Sequence, residues 1–224
     1  MPNLQLFMNK PIYTTILFDM DGVVIDSEKL HLEAMALSLD KHDIAFDRSI
    51  LQDYIGRSDE SFFQFVFDNI DSSTEVEVLL EEKNHFFEEL LKELQFVDGF
   101  KEFIKFADDN GLQAGLVTSS SKFTVNKVNK LLNIAPYFEV IVAEEDTQKH
   151  KPNPDPYLLA ALKLSADKDK TLVIEDSING IISGKKAGCV VSGLTTSFDK
   201  NTLLDAGADF VVDSYAELVE KITK

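Results

Sequence analysis

Two carboxylates stand two residues apart at the end of an apolar run: Thr14-Thr15-Ile16-Leu17-Phe18-Asp19-Met20-Asp21-Gly22. Acids in such surroundings are costly to hold without a partner. At this spacing one carboxylate can attack an electrophile while the other moves a proton. The same residues would also make a turn at Asp21-Gly22, with Asp19 capping a strand end, and this stretch alone does not separate the two readings. A calcium-binding EF-hand loop is excluded, because Gly22 comes too early and Leu30 stands where the closing Glu belongs. Three further groups decide the matter: Thr118-Ser119-Ser120-Ser121, Lys151-Pro152 and Glu175-Asp176.

Each group follows an apolar segment that reads as a strand. Residues 14–18 form a continuous apolar run with no helical period, the pattern of a parallel strand buried on both faces. Strands are also predicted at 112–117, 139–143, 171–174, 189–194 and 209–212, with helices at 100–110, 121–132, 154–164, 177–187, 199–206 and 214–223. Gly111 and Gly188 supply helix-ending signals. Strict alternation of this kind predicts an α/β fold with a Rossmann-like parallel sheet and right-handed crossovers. Between residues 27 and 96 no strand pattern occurs. Helical spacing recurs there after Ser27, a suitable N-cap, with Leu30, Ala34 and Leu37 on one face. It recurs again at 47–54, 58–70 and 75–95. Phe62, Phe63, Val66, Phe67 and Ile70 make an aromatic stripe that reads as core packing. The expected organisation is an α/β core from residues 1–26 and 97–224, interrupted by an all-helical insertion at 27–96.

Parallel strands end on one side of their sheet, so groups that follow several strands can share a site. Four carboxylates brought together, Asp19, Asp21, Glu175 and Asp176, cannot all stay ionised without a cation. Hard oxygen donors suit Mg²⁺. Lys151 and Thr118 then provide charge and donors for an anion, most simply a phosphate, and backbone amides after Asp19 can add a small nest. Taken singly these signals are ordinary. Lys-Pro is common in loops, and Thr-Ser-Ser-Ser and Glu-Asp-Ser both make good helix caps. Their order and spacing carry the reading.

Composition narrows the alternatives. A net charge of −17 over 224 residues disfavours nucleic acid and anionic membrane surfaces as partners. The single Cys189 begins an apolar run and reads as a buried, inert thiol. Without a disulfide framework the chain suits a reducing compartment, and the expected location is cytoplasmic. No signal-peptide pattern and no run of about 20 apolar residues is present. With 17 Phe and no Trp, the core is expected to be Phe-packed. The segment Gly180–Lys186 has one residue too few for a P-loop and lies within a predicted helix.

The motif set Asp19-Met20-Asp21-Gly22-Val23, Val117-Thr118-Ser119-Ser120, Lys151-Pro152-Asn153-Pro154-Asp155-Pro156 and Ile174-Glu175-Asp176-Ser177-Ile178-Asn179-Gly180-Ile181 resembles that of the haloacid dehalogenase-like (HAD) hydrolases. The resemblance spans nearly the whole chain. An insertion just after the first motif is similar to the subgroup holding β-phosphoglucomutase and small sugar-phosphate phosphatases. It implies a nucleophile at Asp19, a general acid/base at Asp21 and phosphate-holding groups at Thr118 and Lys151. It also implies Mg²⁺ held by Asp19, Asp21 through its carbonyl, and Asp176, with Glu175 a direct or water-mediated ligand. Substrate contacts are implied at Gly22, His31, Arg57, Ser119, Ser120 and Asn179. Relatives that displace halide or cleave a carbon–phosphorus bond lack an acid at the position of Asp21, so phosphate esters are implied.

The leading expectation is a Mg²⁺-dependent phosphatase acting on a small phosphorylated metabolite, such as a sugar phosphate, through an aspartyl-phosphate. One alternative is a phosphosugar mutase. The mutases compared carry an arginine three residues beyond the glycine matching Gly56, where this chain has Asp59. Another alternative is a non-catalytic phosphate- or protein-binding module. The insertion is expected to act as a cap that closes over the core, and the assembly to be a monomer or homodimer.

Overall fold

The computed structural model describes residues 12–54 and 59–223. The chain divides into two compact units, one joining the residues up to Val24 with those from Phe96 onward, the other holding Ile25–Gln95.

The first unit is a six-stranded parallel sheet. Its strands are β1 (Thr15–Phe18), β2 (Gln113–Val117), β3 (Val140–Val142), β4 (Thr171–Glu175), β5 (Val190–Leu194) and β6 (Phe210–Val212), ordered β3-β2-β1-β4-β5-β6. The strand order reverses at β1, which lies between β2 and β4. Ligands bind at such a switch point, outside the carboxyl ends of the strands. Every residue of β1 and β4 is buried, as the continuous apolar pattern requires. The register pairs Phe18 with Leu116 on one side and Ile174 on the other. The next residue on each strand therefore shares one row: Val117, Asp19 and Glu175. The Asp19 amide extends the ladder by donating to the Ile174 carbonyl (3.0 Å).

Helices cover the sheet: α4 (Phe100–Asp109), α5 (Lys122–Leu132), α6 (Asp155–Leu164), α7 (Ile178–Lys186), α8 (Lys200–Asp205) and α9 (Tyr215–Ile222). Packing runs in two groups, α4 against α9 and α6 through α7 to α8. Right-handed crossovers that reverse direction at β1 put those groups on opposite faces. Phe18 lies edge-on to Phe100, Phe103 and Phe138, with ring centroids 5.9, 5.9 and 5.7 Å away. This aromatic knot under the end of β1 fixes where Asp19 emerges. Each such ring contributes about 1.5–3 kcal/mol by burial. Cys189 is buried, which pushes its thiol up to about 11.

The elements of the second unit's described residues are all helices: α1 (Glu28–Asp40), a 3₁₀ segment at Arg48–Tyr54, α2 (Asp59–Asn69), α3 (Val76–Leu90) and a 3₁₀ turn at Leu91–Glu93. Phe62, Phe63 and Val66 are buried as the stripe predicts, whereas Phe67 and Ile70 are only half-buried. Two expectations need correction. Ser27 takes the N-cap position of α1, but its side chain accepts no hydrogen bond from the first turn, since its backbone is already helical. In α1, Leu30 and Leu37 are half-buried, while Ala34, Met35, Ala36 and Leu39 form the inner face.

Candidate active site

The row at the carboxyl ends of β2, β1 and β4 is tied together by Lys151, from the loop between β3 and α6. Its ammonium donates to Asp19 Oδ1 (2.6 Å), the Val117 carbonyl (3.0 Å) and Glu175 Oε1 (2.7 Å). All three ammonium protons are thus engaged. The loop is pinned from below, where Ser183 Oγ on α7 donates to the Asn153 carbonyl (2.5 Å). Asp21 lies within reach of the second strand end, its Oδ2 accepting from Ser120 Oγ (3.1 Å). Ser120 N donates in turn to Thr118 Oγ1 (2.9 Å), so the loop after β2 wraps around a buried hydroxyl.

Glu175 and Asp176 are oriented by Ser177 and Gly180 of the fourth motif and by Tyr157, Thr196 and Ser197, which sequence reading did not single out. Tyr157 OH on α6 donates to Glu175 Oε1 (2.7 Å). Ser177 caps α7 by accepting from the Gly180 amide (3.0 Å), and its own amide and hydroxyl donate to Glu175 Oε2 (3.2 and 2.9 Å). A β-carbon on Gly180 would fall 1.7 Å from Glu175 Oε1, so only glycine fits against that carboxylate. From the loop after β5, the hydroxyls of Thr196 (3.3 Å) and Ser197 donate to Asp176 Oδ2. Thr196 Oγ1 also donates to the Gly22 carbonyl (2.6 Å), joining the first motif to a fifth strand end. A strand-end hydroxyl pair, Thr196-Ser197, was the only sequence signal for this, and ordinary loops carry such pairs freely.

Gly22 combines two constraints. Its φ is +72°, and a β-carbon would lie 1.8 Å from Asp176 Oδ2. Gly22→Ala is therefore expected to displace Asp176 and destabilise the protein by about 1–3 kcal/mol through backbone strain alone. A melting curve matching the wild type would contradict that.

Asp19, Glu175 and Asp176 are all buried, and one ligand oxygen from each lies within 4.8 Å of the others. Burial pushes Asp19 up to about 7; Lys151 opposes the rise, while Glu175 and Asp21 add to it. Burial, then Asp19 and Glu175, hold Asp176 well above the usual carboxylate range despite the Ser197 hydrogen bond. Burial alone would lower Lys151, but the two carboxylates raise it above its ordinary value, so it stays charged. Two raised acids, Asp19 and Asp176, beside a third carboxylate have the chemistry of a hard divalent cation site.

Other expected site residues are placed less centrally. Ser119 and Asn179 are exposed, Asn179 on the first turn of α7. Ser121, rather than Ser119 or Ser120, caps α5 by accepting from the Thr124 amide. Arg57 lies outside the described residues. His31 belongs to a cluster within the helical unit. Its Nδ1 lies 2.8 Å from Lys83 Nζ, and its ring stacks on Phe87 at 4.0 Å. Lys83 is 2% exposed and donates to Asp59 Oδ2 (2.5 Å). On α3 it is Lys83, with Val76 and Leu79, that is buried.

An aspartate at the switch point of a parallel sheet, held by a lysine beside two further acids, makes a strand-end carboxylate centre on an α/β fold. The chain matches the family described as haloacid dehalogenase-like hydrolase over residues 16–194, and it belongs to that family. Pyrophosphatase PpaX of Bacillus pumilus is 29% identical over 214 residues, spanning 95% of this chain and 97% of its own. The phosphorylated carbohydrates phosphatase of Thermotoga maritima is 29% identical over 199 residues, spanning 86% and 91%. Among solved structures, a HAD family hydrolase from Deinococcus radiodurans with bound phosphate and sodium superimposes with a TM-score of 0.82. It is 22% identical, and the match covers 93% of this chain and 94% of that one.

Proposed function

We propose that the protein is a Mg²⁺-dependent phosphatase acting on a small phosphorylated metabolite, of the sugar-phosphate kind. The observation that carries this reading is Lys151 bridging Asp19 and Glu175 beside Asp176, all buried at one strand-end row. The names of the relatives, one a pyrophosphatase and one a phosphatase of phosphorylated carbohydrates, support it.

In this reading Asp19 attacks phosphorus, and the bond from phosphorus to the ester oxygen breaks as the aspartyl-phosphate forms. Asp21 gives its proton to the departing oxygen, then takes one from the water that attacks phosphorus and frees Asp19. The Ser120 hydroxyl steadies Asp21 for both transfers. Thr118 and Lys151 hold the phosphoryl oxygens, Lys151 by turning toward them the proton it gives Asp19 in the free site. Asp19, Asp176 and the carbonyl of Asp21 would hold the cation, which when bound would offset the charge of the transferring group. Phosphate esters suit a site with a second acid two residues beyond the first.

A mutase requires a grip on a second phosphate. Position 59, where the mutases compared carry arginine, holds a carboxylate already paired with Lys83, which argues against that chemistry. The test is phosphate release from a panel of sugar phosphates, other phosphomonoesters and pyrophosphate, with and without Mg²⁺. Metal-dependent release is expected. No release from any compound, or accumulation of glucose 6-phosphate from β-glucose 1-phosphate with trace bisphosphate, would overturn the reading.

The raised acids also predict how Mg²⁺ binding depends on pH. In the metal-free folded protein Asp19 keeps its proton up to about pH 7, whereas an unfolded aspartate loses it near 4. Asp19 thus favours the folded state most below the unfolded value, and that contribution is lost as pH rises through 7. A cation must displace the retained protons. Scanning calorimetry should show Mg²⁺ raising the melting temperature more at pH 8 than at pH 5.5; equal shifts would contradict it.

A further inference from the structure

We propose that Tyr157 is a positioning residue for phosphoryl transfer, sharing Glu175 with Lys151 so that the ammonium stays directed at Asp19; this rests on the phosphatase reading. Tyr157 is fully buried on the inner face of α6. A phenylalanine would fill the same space, so packing does not require the hydroxyl. That hydroxyl donates to Glu175 Oε1 (2.7 Å), the oxygen that also accepts from Lys151 (2.7 Å). The Tyr157 ring lies beside the same ammonium, with Nζ 5.0 Å from its centroid.

An ionised carboxylate offers about four lone-pair sites. Glu175 fills them from within the protein: Lys151 and Tyr157 at Oε1, the Ser177 amide and hydroxyl at Oε2. Glu175 is thereby the fixed counter-charge of Lys151, and the cation falls to Asp19 and Asp176. Lys151 hangs between two carboxylates at nearly equal distance, 2.6 Å to Asp19 and 2.7 Å to Glu175. As Asp19 attacks, its negative charge passes into the phosphoryl group, and Lys151 must follow that charge rather than settle on Glu175. The Tyr157 hydroxyl takes up part of the Oε1 charge and weakens the competing pull. Without it, Oε1 turns wholly to Lys151 and draws the ammonium away when the transition state needs it. An interaction felt in the transition state more than in the ground state changes kcat rather than KM.

Tyr157→Phe keeps the ring and removes only the hydroxyl. We expect kcat to fall about tenfold with KM changed less than threefold. In a Glu175→Gln background the same substitution should have under a threefold effect, because the competing charge is gone. Calorimetry with Mg²⁺ present gives a readout that needs no turnover. Orthovanadate, which mimics the five-coordinate transition state, should bind about tenfold more weakly to Tyr157→Phe, and inorganic phosphate less than threefold more weakly. Unchanged kcat and vanadate affinity, or equal losses in both backgrounds, would overturn the role of Tyr157. A wild-type protein that binds vanadate but releases no phosphate would overturn the phosphatase reading and leave the vanadate comparison to judge Tyr157.

Discussion

Asp19→Asn is expected to abolish phosphate release, a loss on the order of 10⁴-fold or more, while leaving the fold intact. The amide nitrogen and oxygen occupy nearly the same volume as the carboxylate but are too weakly nucleophilic to attack phosphorus. Stability should move in the opposite direction to activity. In the wild type, burial and the neighbouring acids hold Asp19 at about 7, so ionising it costs the folded state. The variant carries no such cost, and Lys151 keeps the Val117 carbonyl and Glu175 as acceptors. Above pH 7 and without metal, the variant should melt at or above the wild-type temperature, and the gap should narrow as pH falls toward 5. Phosphate release and calorimetry on the same preparation check both halves. Retained activity would remove Asp19 from the chemistry.

Lys151→Met is expected to lose both activity and stability. Among the described residues the Lys151 ammonium is the one cation paired with Glu175, whose side chain is 0% exposed. Removing it leaves two buried carboxylates facing each other, which costs about 3–5 kcal/mol and lowers the melting temperature by roughly 10 °C. Activity should fall about 10²–10³-fold through loss of charge on the transferring group. The two effects can be separated. Adding Glu175→Gln to Lys151→Met removes the stranded charge and should restore most of the stability but none of the activity. If the double variant regained activity, Lys151 would be only a counter-charge for Glu175.

The sheet was legible because a fully buried parallel strand leaves a plain mark. Thr15–Phe18 and Thr171–Glu175 are apolar runs closed by acids, and glycines punctuate the helices between strands. The strand-end groups followed, since parallel strands deliver their last residues to one side. Less visible were the groups that brace those strand-end residues. Tyr157 sits in an apolar helical stripe, and only its hydroxyl, not its position, sets it apart from core. Gly180 lies inside a helix, where a glycine has no turn to announce it; its reason is the Glu175 carboxylate against its α-carbon. Thr196 and Ser197 look like loop residues until β5 is seen to end beside Asp176. Nothing in the sequence marks Lys83 as buried, because lysines among glutamates on a helix are usually solvated. Asp59 and His31, from separate helices, make its burial tolerable, and sequence spacing carries no record of that convergence.

In the proposed reaction phosphate passes through the Asp19 carboxylate. Rapid acid quench of a single turnover, with a ³²P-labelled ester that the protein hydrolyses and Mg²⁺ present, addresses it directly. An acid-stable, alkali-labile label is expected on the peptide containing Asp19, absent from Asp19→Asn and from samples mixed without metal. Turnover with no labelled protein, or a label that persists in Asp19→Asn, would contradict it.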